Sequence, residues 1–106
     1  MKILKLTIKK KWFDMILSGE KTEEYREIKP HWVTRLTNQT MYLVRPQSQW
    51  KFNQYDAIQF FNGGYYSDDL PNFIIECKFI EIGLGNPEWG AEEGVEYFII
   101  KLGVQI

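Results

Sequence analysis

A chain of 106 residues, 44% hydrophobic and 25% charged, is long enough to bury one core without disulfides or a metal, and it reads as a single domain over 1–106. A formal net charge of -1 excludes a polycation that coats nucleic acid indiscriminately, and a single cysteine, Cys77, excludes an internal disulfide. An aromatic share of 16% favours a β-rich architecture with a thick core or aromatic platforms.

The charge is uneven along the chain. Residues 1–51 carry 11 Lys or Arg against 5 Asp or Glu, whereas residues 52–106 carry 2 against 9. Either the two halves pair with each other, or the fold keeps them apart and one face is basic enough to meet phosphates. The first residues, Met1–Ile8, place lysines where a secretion signal needs an unbroken apolar run, and no later stretch has the length of a membrane span. A soluble cytoplasmic protein with no membrane partner is the expectation, and the lone Cys77 in an apolar run is expected in the core.

In chain order, Leu4, Leu6 and Ile8 alternate with Lys5 and Thr7, which predicts a half-buried strand over Lys2–Ile8. The period then lengthens: Trp12, Met15 and Ile16 fall at helical spacing over Lys10–Ser18, and Gly19 occupies the usual stop position. Lys9, Lys10 and Lys11 oppose the dipole at the start of that helix, and are either solvated or available to a phosphate. A second strand is predicted over Thr22–Ile28, and Pro30 opens a second short helix reaching Leu36. Met41–Val44 reads as a strand and Pro46–Trp50 as a loop, with Trp50, Phe52 and Tyr55 as surface aromatics.

Asp56–Asn62 is a strongly apolar strand that ends at Gly63-Gly64, before a wide loop carrying Tyr65 and Tyr66. In Phe73–Ile82, Phe73, Ile75, Cys77 and Phe79 share one face and Glu76 and Lys78 the other. Glu92, Glu93 and Glu96 form an acidic turn before a last strand over Val95–Gly103. The predicted class is α+β, mainly β: a small, partly closed barrel of five or six strands with two short N-terminal helices at one end. Pockets favour the mouths of such barrels.

One stretch concentrates polar chemistry, Gly19-Glu20-Lys21-Thr22-Glu23-Glu24-Tyr25-Arg26. If the chain is extended after Gly19, Thr22, Glu24 and Arg26 point one way and Glu23, Tyr25 and Glu27 the other, with Lys21 able to swing in from the turn. Such a set is costly to bury unless its members pair or hold a ligand. A plainer alternative is that Glu24 and Arg26 pair across the strand to fix the corner, with Lys21 solvated. One His and one Cys cannot build a zinc site of the usual kind, and no phosphate-binding glycine loop or nucleophile elbow occurs, so no metal and no cofactor is expected.

The spacing Gly19-x-Lys21-x-x-Glu24-x-Arg26, preceded by Trp12-Phe13-Asp14-Met15-Ile16-Leu17-Ser18, closely resembles the signature of the ASCH family, small relatives of the PUA domain. The likeness extends over the first strand and helix, the strand after the motif and the closing region around Tyr97, Ile99 and Leu102. It implies a PUA-like β-barrel with a cleft lined by Lys21, Glu24 and Arg26. It also implies binding of RNA or modified nucleobases and, as in some members, hydrolysis of the acetyl group from the exocyclic amine of N4-acetylcytidine. Those amidohydrolases pair the lysine with a threonine three residues later and a glutamate from a later strand. Here Glu24 stands at the threonine position, Thr22 follows the lysine directly, and Glu76 is the later-strand candidate.

Each activity has a physical requirement. Hydrolysis needs a nucleophile, a base and an oxyanion donor; Thr22 or a water would attack, Lys21 would act as base or oxyanion partner, and Glu24 or Glu76 would orient them. Binding needs less: Lys21 and Arg26 to hold a phosphate or base edge, Glu24 to accept from an exocyclic amine, and Tyr25, Trp32, Tyr65 or Tyr66 to offer a stacking face. Binding of RNA or a nucleoside-like small molecule therefore ranks first, an amidohydrolase second, and a protein-interaction module built on the aromatic loop at Tyr65 and Tyr66 third.

Overall fold

The computed structural model describes residues 1–40 and 45–106. The first strand, β1 (Ile3–Ile8), leads into α1 (Lys10–Leu17), β2 (Glu23–Arg26) and α2 (Pro30–Leu36). A single 3-10 turn over Gln47–Gln49 follows, then β3 (Ala57–Asn62), β4 (Asn72–Leu84), a second 3-10 turn over Pro87–Trp89, and β5 (Glu96–Gln105). The predicted strand over Met41–Val44 lies outside the described residues.

The five strands form one sheet in the order β1-β3-β4-β5-β2. β1 runs parallel to β3, and the remaining neighbours are antiparallel. The sheet curls into a half-barrel, so β1 and β2 are both edge strands. Inside it, Leu4, Leu6, Ile58, Phe60, Phe98 and Ile100 are fully buried, as alternation places one face of each strand inward. The helices close the interior. α1 inserts Phe13 and Ile16, with the Phe13 ring edge-on to Phe73 at 4.9 Å, and α2 inserts Val33 and Leu36.

Local chemistry explains where the elements stop. α1 ends at Leu17 with Ser18 as its C-cap, and Gly19 takes a φ of 86°, a left-handed conformation that reverses the chain at little cost for glycine. The Lys21 N–H then donates to the Met15 carbonyl at 2.9 Å, tying the turn back to the helix. α2 begins at Pro30, where the missing N–H costs no intrahelical bond.

Three expectations are corrected. β2 is shorter than predicted, beginning at Glu23, so Thr22 lies before the alternation starts and is exposed. β4 does not keep one face throughout: its register to β5 shifts between Ile75 and Cys77 and again between Cys77 and Phe79. Those bulges turn Phe79 out to 52% exposure and bring Ile80 in at 6%. Trp50, Phe52 and Tyr55 are half-buried rather than surface aromatics: Trp50 and Phe52 both pack on Phe98 with centroids at 6.2 Å, and the Tyr55 hydroxyl donates to the Arg35 carbonyl. Cys77 is buried as expected, and burial pushes its thiol up to about 11. Among the described residues no helix is long and apolar enough to cross a membrane.

Candidate functional site

Lys21 is among the most deeply buried side chains of the molecule, with 1% of its surface exposed. Its ammonium donates to Glu24 Oε1 at 2.7 Å and to the Glu23 carbonyl at 2.5 Å. The rings of Tyr25 and Trp12 lie 5.3 and 5.7 Å from Nζ, so the face without an oxygen acceptor meets aromatic surface. A lysine removed from water in this way is stable only because its charge is both paired and hydrogen-bonded.

Glu24 sits at the centre of the set. While Oε1 accepts from Lys21, Oε2 accepts from Arg26 Nη2 at 2.6 Å, so one buried carboxylate holds two cations. The same Nη2 also donates to the Thr7 carbonyl of β1 at 3.1 Å. Among the described residues no β-ladder joins β1 to β2, and the Arg26 side chain reaches from one sheet edge to the other. Among the described residues the remaining Arg26 donors, Nε and Nη1, have no hydrogen-bond partner. The guanidinium carbon lies over the Trp32 ring, 5.0 Å from its centroid, and that of Arg35 lies 5.6 Å from it.

A cleft of about 700 Å³ opens at this seam. It is lined by the end of β1 (Thr7, Ile8, Lys9), by Trp12 of α1, by residues 24–29 along the free edge of β2, and by residues 89–97 in part, including Trp89, Gly90, Glu92, Glu96 and Tyr97. Lys29 pairs with Glu27 at 2.9 Å on its rim. The 3-10 turn that forms one wall is held by Tyr25, whose hydroxyl accepts from the Asn86 N–H at 2.8 Å and donates to Glu23 Oε1 at 2.6 Å. Gly85 permits this approach, since a Cβ there would lie 2.8 Å from Tyr25 Cζ.

Glu23 also pairs with Lys101 of β5, which in turn lies 3.7 Å from Glu81. Burial pushes the Glu23 carboxyl up, but hydrogen bonds from Lys101 and Tyr25 outweigh it and leave the group below its ordinary value. Burial, and then the bond to Glu23, push the Tyr25 phenol well above its ordinary range. The bond to Glu23 raises Lys101.

The motif residues thus divide. Lys21, Glu24 and Arg26 come together, but only Glu24, Tyr25 and Arg26 of the expected residues line the cleft; Lys21 is bonded to Glu24 and Trp32 backs Arg26, and neither of the two lines it. Lys21 is not solvated, as the plainer alternative had it, because the turn after Gly19 directs it inward onto Glu24. Thr22 is exposed and does not join them. Glu76 lies elsewhere: it is exposed, packs over Gly103, and lines a second cavity of about 860 Å³ between residues 51–56 and 76–80. Tyr65 and Tyr66 are 64% and 49% exposed in the β3–β4 loop, with the Tyr66 hydroxyl donating to the Lys5 carbonyl, and neither lines the cleft.

Sequence reasoning missed the site roles of Trp12, Trp89, Glu96 and Tyr97. The helical period placed Trp12 on α1 with Met15 and Ile16, and its position beside Gly90 depends on a tertiary contact. The two oppositely charged halves of the chain do not neutralise each other directly: among the described residues the one ion pair joining them is Glu23 with Lys101, in which the acidic half supplies the cation. No family model, curated protein or solved structure matches the chain.

Two outcomes test this geometry. Lys21→Met takes one of two cations from Glu24, leaves the Arg26 pair in place, and is expected to cost about 1–3 kcal/mol in urea unfolding. Adding Glu24→Gln to it should lower stability further, because Arg26 then loses the carboxylate it pairs with. For Glu23, a carboxyl lowered from 4.5 stabilises the fold at neutral pH and loses that contribution as pH falls below about 4.5 and through the folded value. Glu23→Gln should flatten the acid limb of stability against pH, measured by denaturant midpoints. An unchanged acid limb would remove Glu23 from the account.

Proposed function

We propose that this chain is an ASCH-type module of PUA-like architecture whose cleft binds RNA or a nucleobase-like ligand. The curled five-stranded half-barrel and the clustering of Lys21, Glu24 and Arg26 support the resemblance, and the state of Arg26 carries the functional reading. An arginine that, among the described residues, is held by Glu24 and Thr7 through Nη2 presents its other donors in a plane, an arrangement suited to a phosphate or to the acceptor edge of a base. Trp12, Tyr25 and Tyr97 in the same cleft offer the aromatic faces on which a base would stack.

Binding ranks above hydrolysis of N4-acetylcytidine. Lys21 donates to Glu24 and to the Glu23 carbonyl and has no exposed side-chain surface, Thr22 lies outside the cleft, and Glu76 lines the other cavity. The protein-interaction reading through Tyr65 and Tyr66 ranks third, since those rings lie outside the cleft.

Trp12 and Trp89 provide the readout, because both line the cleft. Titration with N4-acetylcytidine, cytidine and a short RNA is expected to change their fluorescence for at least one ligand. Arg26→Ala should weaken that binding about tenfold or more. Arg26→Lys keeps the charge but loses the planar fork, and should also weaken it with the melting temperature closer to that of the parent. Unchanged affinity in both variants contradicts the assignment, and release of cytidine from the acetylated nucleoside would make the protein an amidohydrolase instead.

A further inference from the structure

The second cavity, of about 860 Å³ between residues 51–56 and 76–80, shares no residue with the seam cleft. An unbroken β4 would carry Phe79 on the inward face with Phe73, Ile75 and Cys77. The two register shifts turn it outward, and it stands 52% exposed on the wall of this cavity. Bulges of this kind commonly re-aim a side chain where a surface is put to use. Phe52, Tyr55 and Ile80 complete the apolar part of the lining, so an exposed ring stands beside an opening with apolar walls.

The charged part of the lining is balanced. Lys51 and Lys78 supply two cations, Asp56 and Glu76 two carboxylates, and none of the four forms an ion pair among the described residues. Asp56 accepts the Lys2 backbone N–H at 2.6 Å. Glu76 lies over Gly103, which continues the surface to Val104, 72% exposed. A nucleic-acid strand requires uncompensated cations, and a strongly charged protein partner requires one sign in excess. A surface with unpaired charges of both signs, and with a ring and an opening side by side, is instead complementary to a copy of itself, which is the condition that a two-fold interface imposes.

We propose that this face joins two copies of the chain about a two-fold axis, with Phe79 of each copy seated in the second cavity of the other and the four charges paired across the axis. An aromatic ring received by a pocket anchors a contact of this type, and the charges around it select the partner and fix the register. Because none of these residues lines the seam cleft, each copy keeps its own cleft, and the association is independent of the ligand assigned there.

Sedimentation equilibrium over a concentration series tests the proposal. The wild-type chain is expected to reach twice the mass of one chain, and Phe79→Ser should weaken the association about tenfold or more by removing the anchor. Lys51→Glu combined with Lys78→Glu makes the patch wholly acidic, whereas Glu76→Lys leaves it predominantly basic. Each of these two variants should be monomeric alone, and their equimolar mixture should dimerise, because an acidic patch then faces a basic one. Recovery in the mixture also shows that both variants are folded. A wild-type chain still monomeric at about 100 μM, beyond the micromolar end of ordinary interfaces, would overturn the proposal. So would a Phe79→Ser chain that associates as tightly as the parent, or a mixture no more associated than its two components.

Discussion

The arrangement of the seam depends on one carboxylate. Glu24 accepts from Lys21 on one side and from Arg26 on the other, and Arg26 continues to the Thr7 carbonyl on the far edge of the sheet. Two edge strands that share no ladder are thereby linked through side chains. The arrangement is costly in desolvation, and replacing a buried charge cluster with apolar residues is often neutral or stabilising for a fold. The cluster is better understood as a means of placing Arg26: two acceptors and the Trp32 ring hold it, while among the described residues two of its nitrogens have no hydrogen-bond partner.

A second layer fixes the opposite wall. Tyr25 receives the Asn86 N–H and gives its own proton to Glu23, which Lys101 holds from β5. The turn bearing Trp89 and Gly90 is therefore joined to the same four-residue strand that carries Glu24 and Arg26. Alternation along β2 assigns the two layers: Glu24 and Arg26 serve the seam, and Glu23 and Tyr25 serve the wall.

Much of the fold was legible because local signals agreed with one another. Period-2 alternation marked β1, Pro30 marked the start of α2, and Gly19 marked the end of α1. Signals failed where tertiary structure overrode the local pattern. The bulges in β4 reverse the face of Phe79, and only pairing with β5 determines where they fall. The aromatic residues after Pro46 looked exposed because their neighbours are polar, yet they cover Phe98. In the site, the grouping of Lys21, Glu24 and Arg26 followed from spacing and resemblance, but the depth of Lys21 did not, since a lysine after a helix-ending glycine has the pattern of a solvated turn. The alternation of β4 correctly set Glu76 opposite Ile75 and Cys77. Which cavity that face meets is a property of sheet order, and it meets the other one.

The central claim is that the seam cleft, rather than the second cavity or the tyrosine loop, receives a nucleobase. Backbone amide shifts of labelled protein titrated with cytidine test it residue by residue. The account predicts changes concentrated at residues 7–9, 24–29 and 89–97, which line the cleft. Changes concentrated at residues 51–56 and 76–80, around the second cavity, or at Tyr65 and Tyr66, would contradict it.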